Sequence, residues 1–256
     1  LTDRLLGAAA SFVGHFRGGI AQVDVLASIF FAGMSGSATA DAASQGRILI
    51  PHMQRKGYDI GFAAGVNSAS ATIGAIIPPS ITMIIYGSVT SISVGALFLA
   101  GILPGLIIGF GMMIIVAIIA RRRNYPRDEK LTVPERLRAI RGALPALFAP
   151  VIILGAIFTG IATPTEAGVI ACVYAIVLGF VVYRELKLSD IPSLLRETVE
   201  ATAVPVSIIA AGSVFGFALT ASGFGFIVEQ AVTGLTDDPL IFLCIVVLIF
   251  FVVGLV

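Results

Sequence analysis

Residues 33–44 read GMSGSATADAAS. The stretch carries one carboxylate, Asp41, and four hydroxyls, Ser35, Ser37, Thr39 and Ser44, and it follows the apolar run VLASIFFA (25–32) with no charged loop between. Hydrocarbon offers such groups no partners, so a lipid-facing helix excludes them. Basic residues flank the segment on both sides, Arg17 before it and Arg55 and Lys56 after it. A single crossing would leave one flank outside. A re-entrant hairpin whose tip is GMSGSATAD keeps both flanks on the cytoplasmic side, as the positive-inside rule requires. Irregular backbone at that depth is tolerated only where protein surrounds it or a cavity is lined by it.

The rest of the chain sets the same class. It is 57% hydrophobic and 12% charged, with a mean hydropathy of +1.03; soluble domains carry about 25% charged residues. Ile60 to Ala120 contains no charged residue, enough for two crossings at about 20 residues each. Further charge-free runs cover 142–165, 167–183 and 201–228, and a last one begins at Pro239. The pattern predicts an all-α polytopic membrane protein; a membrane β-barrel would alternate in segments of about ten residues. A net charge of +1 and the absence of tryptophan or basic–aromatic clusters give no attraction to nucleic acid. Cys172 and Cys244 lie inside apolar runs, form no metal spacing and read as small core residues. A first residue that is Leu and a last apolar run reaching Val256 lead to the expectation of a piece of a longer protein.

All 16 Lys and Arg lie at or before Arg196, in clusters at 4–17, 47–56, 121–141 and 184–196. The richest, RRRNYPRDEKLTVPERLRAIR, is expected to be a solvated cytoplasmic loop near lipid headgroups. Counting from it gives spans at 93–120 and 60–87 on one side, and at 142–161, 168–183 and 201–220 on the other. The late charges Glu229, Asp237 and Asp238 are acidic and fit an outside location, so residues 54–56 and 235–237 are expected on opposite faces.

A second interruption follows the first: GVNSASATIGAIIPPS (65–80), where Gly65, Gly74 and Pro78–Pro79 disfavour a continuous helix. A polar hairpin tip beside a broken helix is the arrangement of secondary transporters, where half-helix N-termini suit anions and unwound carbonyls suit Na⁺. The stretches 12–33 and 226–254 share an amphipathic start and an apolar run ending in IFF and a glycine. With opposite sidedness they read as inverted repeats.

FAGMSGSATADAASQGRILIPHM (31–53), GFAAGVNSASATIGAIIPPSITMIIYG (61–87) and TPTEAG (163–168) closely resemble the large membrane subunit of tripartite ATP-independent periplasmic (TRAP) transporters, the DctM-like family. The resemblance covers nearly the whole chain. It implies an inverted-repeat, elevator-type, Na⁺-coupled importer of organic anions, such as C4-dicarboxylates, sialic acid or 2-oxo acids, in the bacterial inner membrane. It implies two protein partners, a periplasmic substrate-binding protein and a small four-helix membrane subunit. It implies no cofactor beyond Na⁺ as coupling ion. Residues 1–120 would form the first repeat: an arm helix at 1–20, the re-entrant hairpin at 22–53, the broken helix at 60–88 and a helix at 93–120. The loop 121–141 would join it to a second repeat, 142–256, cut at its own hairpin. Ser35, Gly36, Ser37 and Thr39 would form the tip, and Asn67, Ser68, Ser70, Thr72 and Gly74 the facing unwound segment. Together these would bind substrate and ion, with Ser37, Asn67 and Gly74 holding Na⁺.

Each residue also has a structural reading. Ser37 or Thr39 could cap the outgoing half-helix, with Asp41 in its first turn. Asn67 could be a helix-packing hydrogen bonder. Pro78 and Pro79 would start the second half-helix. Thr163 or Thr165 could cap a helix whose dipole Glu166 offsets, leaving a binding-protein contact or an ion path as the other role of Glu166. His15 and His52 read as interfacial, and Asp24 as a cap or interfacial carboxylate.

Two other functions fit parts of the pattern. GMSG matches a Gly-x-Ser-Gly motif of intramembrane serine proteases, with Ser35 as nucleophile, but neither His15 nor His52 lies at its depth. A passive channel can use broken helices as a filter, yet two different broken elements in an inverted pair argue for alternating access. The chain is therefore expected not to be an enzyme.

Overall fold

The computed structural model of the chain describes residues 2–127, 130–233 and 238–254; Asp237 and the 235–237 loop lie outside the described residues, as does the Glu229 side chain. Among the described residues every regular element is helical, and the chain divides into two compact units, Leu1–Leu186 and Lys187–Val256.

The first unit begins with α1 (Thr2–Val13), shorter than the expected arm 1–20 because the chain turns at 14–18. Two helices then form a hairpin, α2 (Gly19–Ser35) and α3 (Ala38–Arg55). α2, at 17 residues, sits at the lower limit of the roughly 17–25 residues of a crossing. α3, at 18 residues with Asp41, Arg47 and Arg55 in it, is not among the described helices apolar enough to cross. The turn between them is two residues long. Gly36 is left-handed (φ 61°) and ends α2; Ser37 is extended and caps α3 through a bond from Ala40 N at 3.4 Å.

The broken helix follows as α4 (Ile60–Ala71), one 3₁₀ turn (Thr72–Ala75), an irregular stretch and α5 (Ile81–Thr90). Asp59 caps α4 and Ser80 caps α5. Two expectations change here. The break is confined to Thr72–Ser80, so Asn67, Ser68 and Ser70 sit in regular helix; four small residues in a row fill α4 without disturbing its ladder. Pro78 and Pro79 precede α5 instead of lying in its first turn.

The long helices are α6 (Val94–Arg122), α7 (Val133–Phe158) and α8 (Pro164–Val177, extended by a widened turn at Leu178–Val182). These three, with Leu188–Ala221 in the second unit, are the four described helices long and apolar enough to cross a membrane. Their surfaces suit lipid: Leu103, Ile107 and Ile114 of α6 are 67%, 64% and 61% exposed. α7 starts at Val133, inside the stretch expected as loop. The cause is local: the Glu135 carboxylate accepts from Thr132 N at 2.8 Å, and proline occupies the first turn.

The core is made by α1, α2, α3 and α4 around Leu5, Ala9, Val25, Ala27, Met53 and Ile73. Alanines along α1 and α2 let these helices approach closely. At the charged end of α4, Tyr125 stacks on Tyr58 with centroids 4.3 Å apart and accepts from Asp59 N at 3.2 Å. Gly18 N donates to Pro126 O at 3.2 Å, so one loop holds the start of both hairpin and broken helix. α1 is fixed by Arg136 Nε donating to Ser11 O at 2.8 Å and by Arg4, which lies 4.3 Å from the Tyr183 ring centroid.

The second unit holds α9 (Ile191–Ala221), α10 (Phe224–Thr233) and α11 (Pro239–Val253), the last capped by Asp238. α9 starts ten residues before the expected span, because Asp190 and Pro192 mark its N-terminus. Cys172 and Cys244 are exposed and are not core residues. An apolar run in a membrane protein is not divided into inner and outer faces by hydropathy, so its cysteines carry no burial signal.

Candidate functional site: the hairpin tip and the broken helix

The tip of the hairpin is seated in the break of the helix that follows it. Ile81 N donates to Gly36 O at 3.3 Å, and a Cβ on Gly36 would fall 2.6 Å from Pro79 O. Only glycine fits, on grounds of both φ and space. Within the tip, Ser35 Oγ donates to Asp41 Oδ1 at 2.6 Å and also accepts from Ser37 N at 3.3 Å. Ser37 Oγ is 3.1 Å from Thr39 Oγ1. Asp41 lies in the first turn of α3 and is 1% exposed. Its other oxygen, Oδ2, has no hydrogen-bond partner and points at Gly74, where an added Cβ would overlap it.

Helix ends of both signs meet here. The carbonyl end of α2 and the end of the 3₁₀ turn are negative poles; the amide ends of α3 and α5 are positive ones. Around Ala75 the oxygens gather further. Ser80 Oγ donates to Ala75 O at 2.6 Å and lies 2.8 Å from Thr82 Oγ1. A cavity of about 390 Å³ opens beside this arrangement, lined by Ser35, Gly36, Pro79, Ser80 and Cys172 among others. The geometry offers an unpaired carboxylate oxygen and carbonyls to a cation, and amide ends to an anion.

Asn67 is elsewhere. It is 3% exposed, and its Nδ2 donates to Asp24 Oδ1 at 3.2 Å. Asp24 is fully buried, at 0% exposure, five residues inside α2, so it is neither a cap nor an interfacial group. Ser70 is buried and donates to Asn67 O at 3.1 Å. Of the nine residues expected from the sequence, the structure brings Ser35, Gly36, Ser37 and Gly74 together around Asp41. Asn67 and Ser70 face the hairpin one to two turns deeper. Thr39, Ser68 and Thr72 are exposed, and Thr72 bonds back to Ala69 O at 2.7 Å.

Sequence reasoning passed over Ser28 and Gln45, and it read Asp24 as a cap or interfacial carboxylate rather than as a buried group. Its placing of Asp41 in the first turn of α3 holds, without foreseeing the unpartnered oxygen. Ser28 Oγ donates to Gln45 Oε1 at 3.2 Å across the arms. The signal was spacing: Asp24 and Ser28, and Asp41 and Gln45, are each four apart and share a helix face. The protease alternative finds no base here, since Ser35 donates to a carboxylate and His52 lies in the last turn of α3. In α8 the cap is settled as Thr163, with Glu166 N donating to its Oγ1 at 3.3 Å and Thr163 N to Glu166 Oε2 at 2.7 Å.

The sequence matches the DctM component of the tripartite ATP-independent periplasmic transporters over residues 1–256. The chain belongs to this family. Among similar proteins are the sialic acid TRAP transporter large permease of Vibrio cholerae, 38% identical over 254 residues (99% of this chain, 60% of that protein), and the C4-dicarboxylate TRAP transporter large permease of Pseudomonas aeruginosa, 40% identical over 251 residues (98% and 59%). The ectoine TRAP transporter large permease of Halomonas elongata is 40% identical over 218 residues (85% and 51%). The chain spans about 60% of the length of the first two. The family is one of transporter permeases rather than enzymes, and the four apolar helices fit a multi-pass inner-membrane protein.

Proposed function

We propose that the chain forms part of the transport subunit of a Na⁺-coupled, binding-protein-dependent importer of organic anions. The observation that carries this reading is the hairpin tip seated in the broken helix, with the unpartnered Asp41 Oδ2 against Gly74. A buried carboxylate oxygen without a donor is costly, and a cation at this point offsets that cost. Ser35, Ser37, Asp41 and the carbonyls around Gly74 are the oxygens for Na⁺, which prefers hard oxygen ligands. Among the described residues no group of three His, Cys, Asp or Glu gathers, which fits an alkali ion better than a transition metal.

The substrates in the relatives' names, sialic acid, C4-dicarboxylates and ectoine, share a carboxylate group. The amide ends of α3 and α5 beside the cavity suit that group. Ser68, Thr72 and Thr39, with exposed hydroxyls, are assigned to the substrate side. The hairpin is read as re-entrant because α2 is at the short limit for a crossing, α3 is too polar to cross as a lipid-facing helix, and both ends carry basic residues. α10 and α11 are read as the opening of a second, inverted hairpin, and transport as an elevator movement of hairpin and broken helix together. A periplasmic binding protein would deliver the substrate and a small membrane subunit would brace the permease.

The test is uptake of labelled sialic acid, C4-dicarboxylates and ectoine by proteoliposomes holding the full-length permease, its small partner and the cognate binding protein. Accumulation only under an inward Na⁺ gradient, and only with the binding protein present, is expected. Equal uptake with K⁺ in place of Na⁺ would remove the sodium coupling.

A further inference from the structure

We infer that the middle of the hairpin holds a second monovalent-cation site, built on Asp24, Ser28, Gln45 and Asn67 and separate from the tip. Its cation identity rests on the sodium-coupled reading above.

The four side chains belong to three helices and are closed to solvent: Asp24, Ser28 and Gln45 are 0% exposed and Asn67 is 3%. They form one cluster. Ser28 lies one turn beyond Asp24 on α2 and bonds Gln45 of α3 at 3.2 Å. Asn67 of α4 bonds Asp24 at 3.2 Å and lies against α3 at Gly46, where a Cβ would come 2.8 Å from its Oδ1.

The cluster is incomplete as a set of hydrogen bonds. Asp24 Oδ2 and Gln45 Nε2 are both buried with no partner. Asp24 receives one neutral amide donor, and the described ion pairs, Arg4–Glu185, Arg123–Asp59 and Arg196–Glu200, leave it without a basic neighbour. A carboxylate so placed needs a compensating positive charge.

Gln45 can supply the matching ligand. The Ser28 hydroxyl donates or accepts equally well. Turning the Gln45 amide over therefore keeps its bond to Ser28. The turn converts the unpartnered Nε2 into an unpartnered Oε1. Two unpartnered oxygens then share the cluster, one of them anionic, with the Ser28 hydroxyl between the two helix arms. One negative charge among neutral oxygens balances a monovalent ion; Ca²⁺ sites gather six to eight oxygens, several of them carboxylates. An ion there would tie α2, α3 and α4 into one body, so its occupancy would be coupled to the seating of the tip.

The test is equilibrium ²²Na⁺ binding to the full-length permease with its small partner in lipid nanodiscs. Asp24→Asn keeps an oxygen for Asn67 and removes the charge. It should bind one Na⁺ fewer than the parent, Ser37→Ala at the tip should also bind one fewer, and the double variant two fewer. Parental stoichiometry and affinity in Asp24→Asn overturn the inference, and a carboxylic acid that simply keeps its proton gives that result. If Asp24→Asn does not fold, Ser28→Ala serves: one class of sites should weaken about tenfold, and unchanged affinity overturns the inference. A loss in Ser37→Ala alone sinks only this site. A parent that binds no ²²Na⁺ sinks the sodium-coupled reading with it.

Discussion

Asn67 donates from Nδ2 to Asp24 Oδ1 at 3.2 Å, in a place where the two residues are 3% and 0% exposed. This bond joins α4 to α2 and, with Ala63 and Val66 of α4 in the core, fixes which face of α4 meets the hairpin. Asn67 and Gly74 are seven residues apart, two helical turns, and so lie near one face. Turning Asn67 toward the hairpin therefore also presents Gly74 to Asp41. The tip and the middle of the hairpin are two points on one polar seam between the hairpin and the broken helix.

Asn67→Ala removes the donor that the structure gives Asp24. A buried acceptor left unsatisfied costs about 1–3 kcal/mol, and more where it is charged. The full-length variant is expected to melt at lower temperature than the parent in detergent, and Asn67→Asp to melt lower still through like-charge repulsion. Melting at the parental temperature in both would show that the bond carries no stability.

The tip glycines make a sharper case. Gly36→Ala places a Cβ against Pro79 O at a left-handed φ of 61°, a conformation costing roughly 1–2 kcal/mol for an L-residue. Gly74→Ala drives a methyl into Asp41. Both variants should reach the membrane and lose most of their uptake. Gly65→Ala is the control: it lies in α4 with nothing within 4 Å, and helix propensity makes it neutral or stabilising. Equal uptake in all three would mean that the seating of the tip is not needed.

Ser37 and the pair Ser68 and Thr72 separate ion from substrate. Ser37→Ala should raise the Na⁺ concentration for half-maximal uptake. Ser68→Ala and Thr72→Ala should each raise the KM for substrate about fivefold, as expected for roughly 1 kcal/mol from one hydrogen bond, with the Na⁺ dependence unmoved. A shift in Na⁺ dependence for Ser68→Ala with constant KM would reverse the assignment.

The hairpin, the break and the long helices were legible because hydropathy and basic flanks act over tens of residues. Gly36, Ser37, Gly74 and Thr163 were legible because turns and caps demand particular residue types. Asp24 and Gln45 were not, since hydropathy treats a polar residue in an apolar run as an edge, and only the packing of α4 against the hairpin buries it. The start of α7 was hidden for the converse reason. Eight basic residues in 121–141 mark a side of the membrane, but a helix is free to begin among them, and Thr132 with Glu135 starts one. The exposure of Cys172 and Cys244 lay beyond any reading of apolar runs, because lipid-facing and protein-facing positions share one composition.

The inverted relationship has a direct test in those cysteines. Both are exposed, so replacing each by alanine should be tolerated and gives a background free of thiols over these residues. On it, Lys56→Cys reports the end of the first hairpin and Ser222→Cys the turn between α9 and α10. Basic residues cluster around Lys56, whereas Lys and Arg are absent beyond Arg196, so the positive-inside rule puts the first position in the cytoplasm and the second outside. In intact cells a membrane-impermeant maleimide should label Ser222→Cys and leave Lys56→Cys unlabelled until the membrane is opened. Labelling of both from one side would place the two hairpins in the same orientation, and the two halves would then be related by a parallel repeat instead of an inverted one.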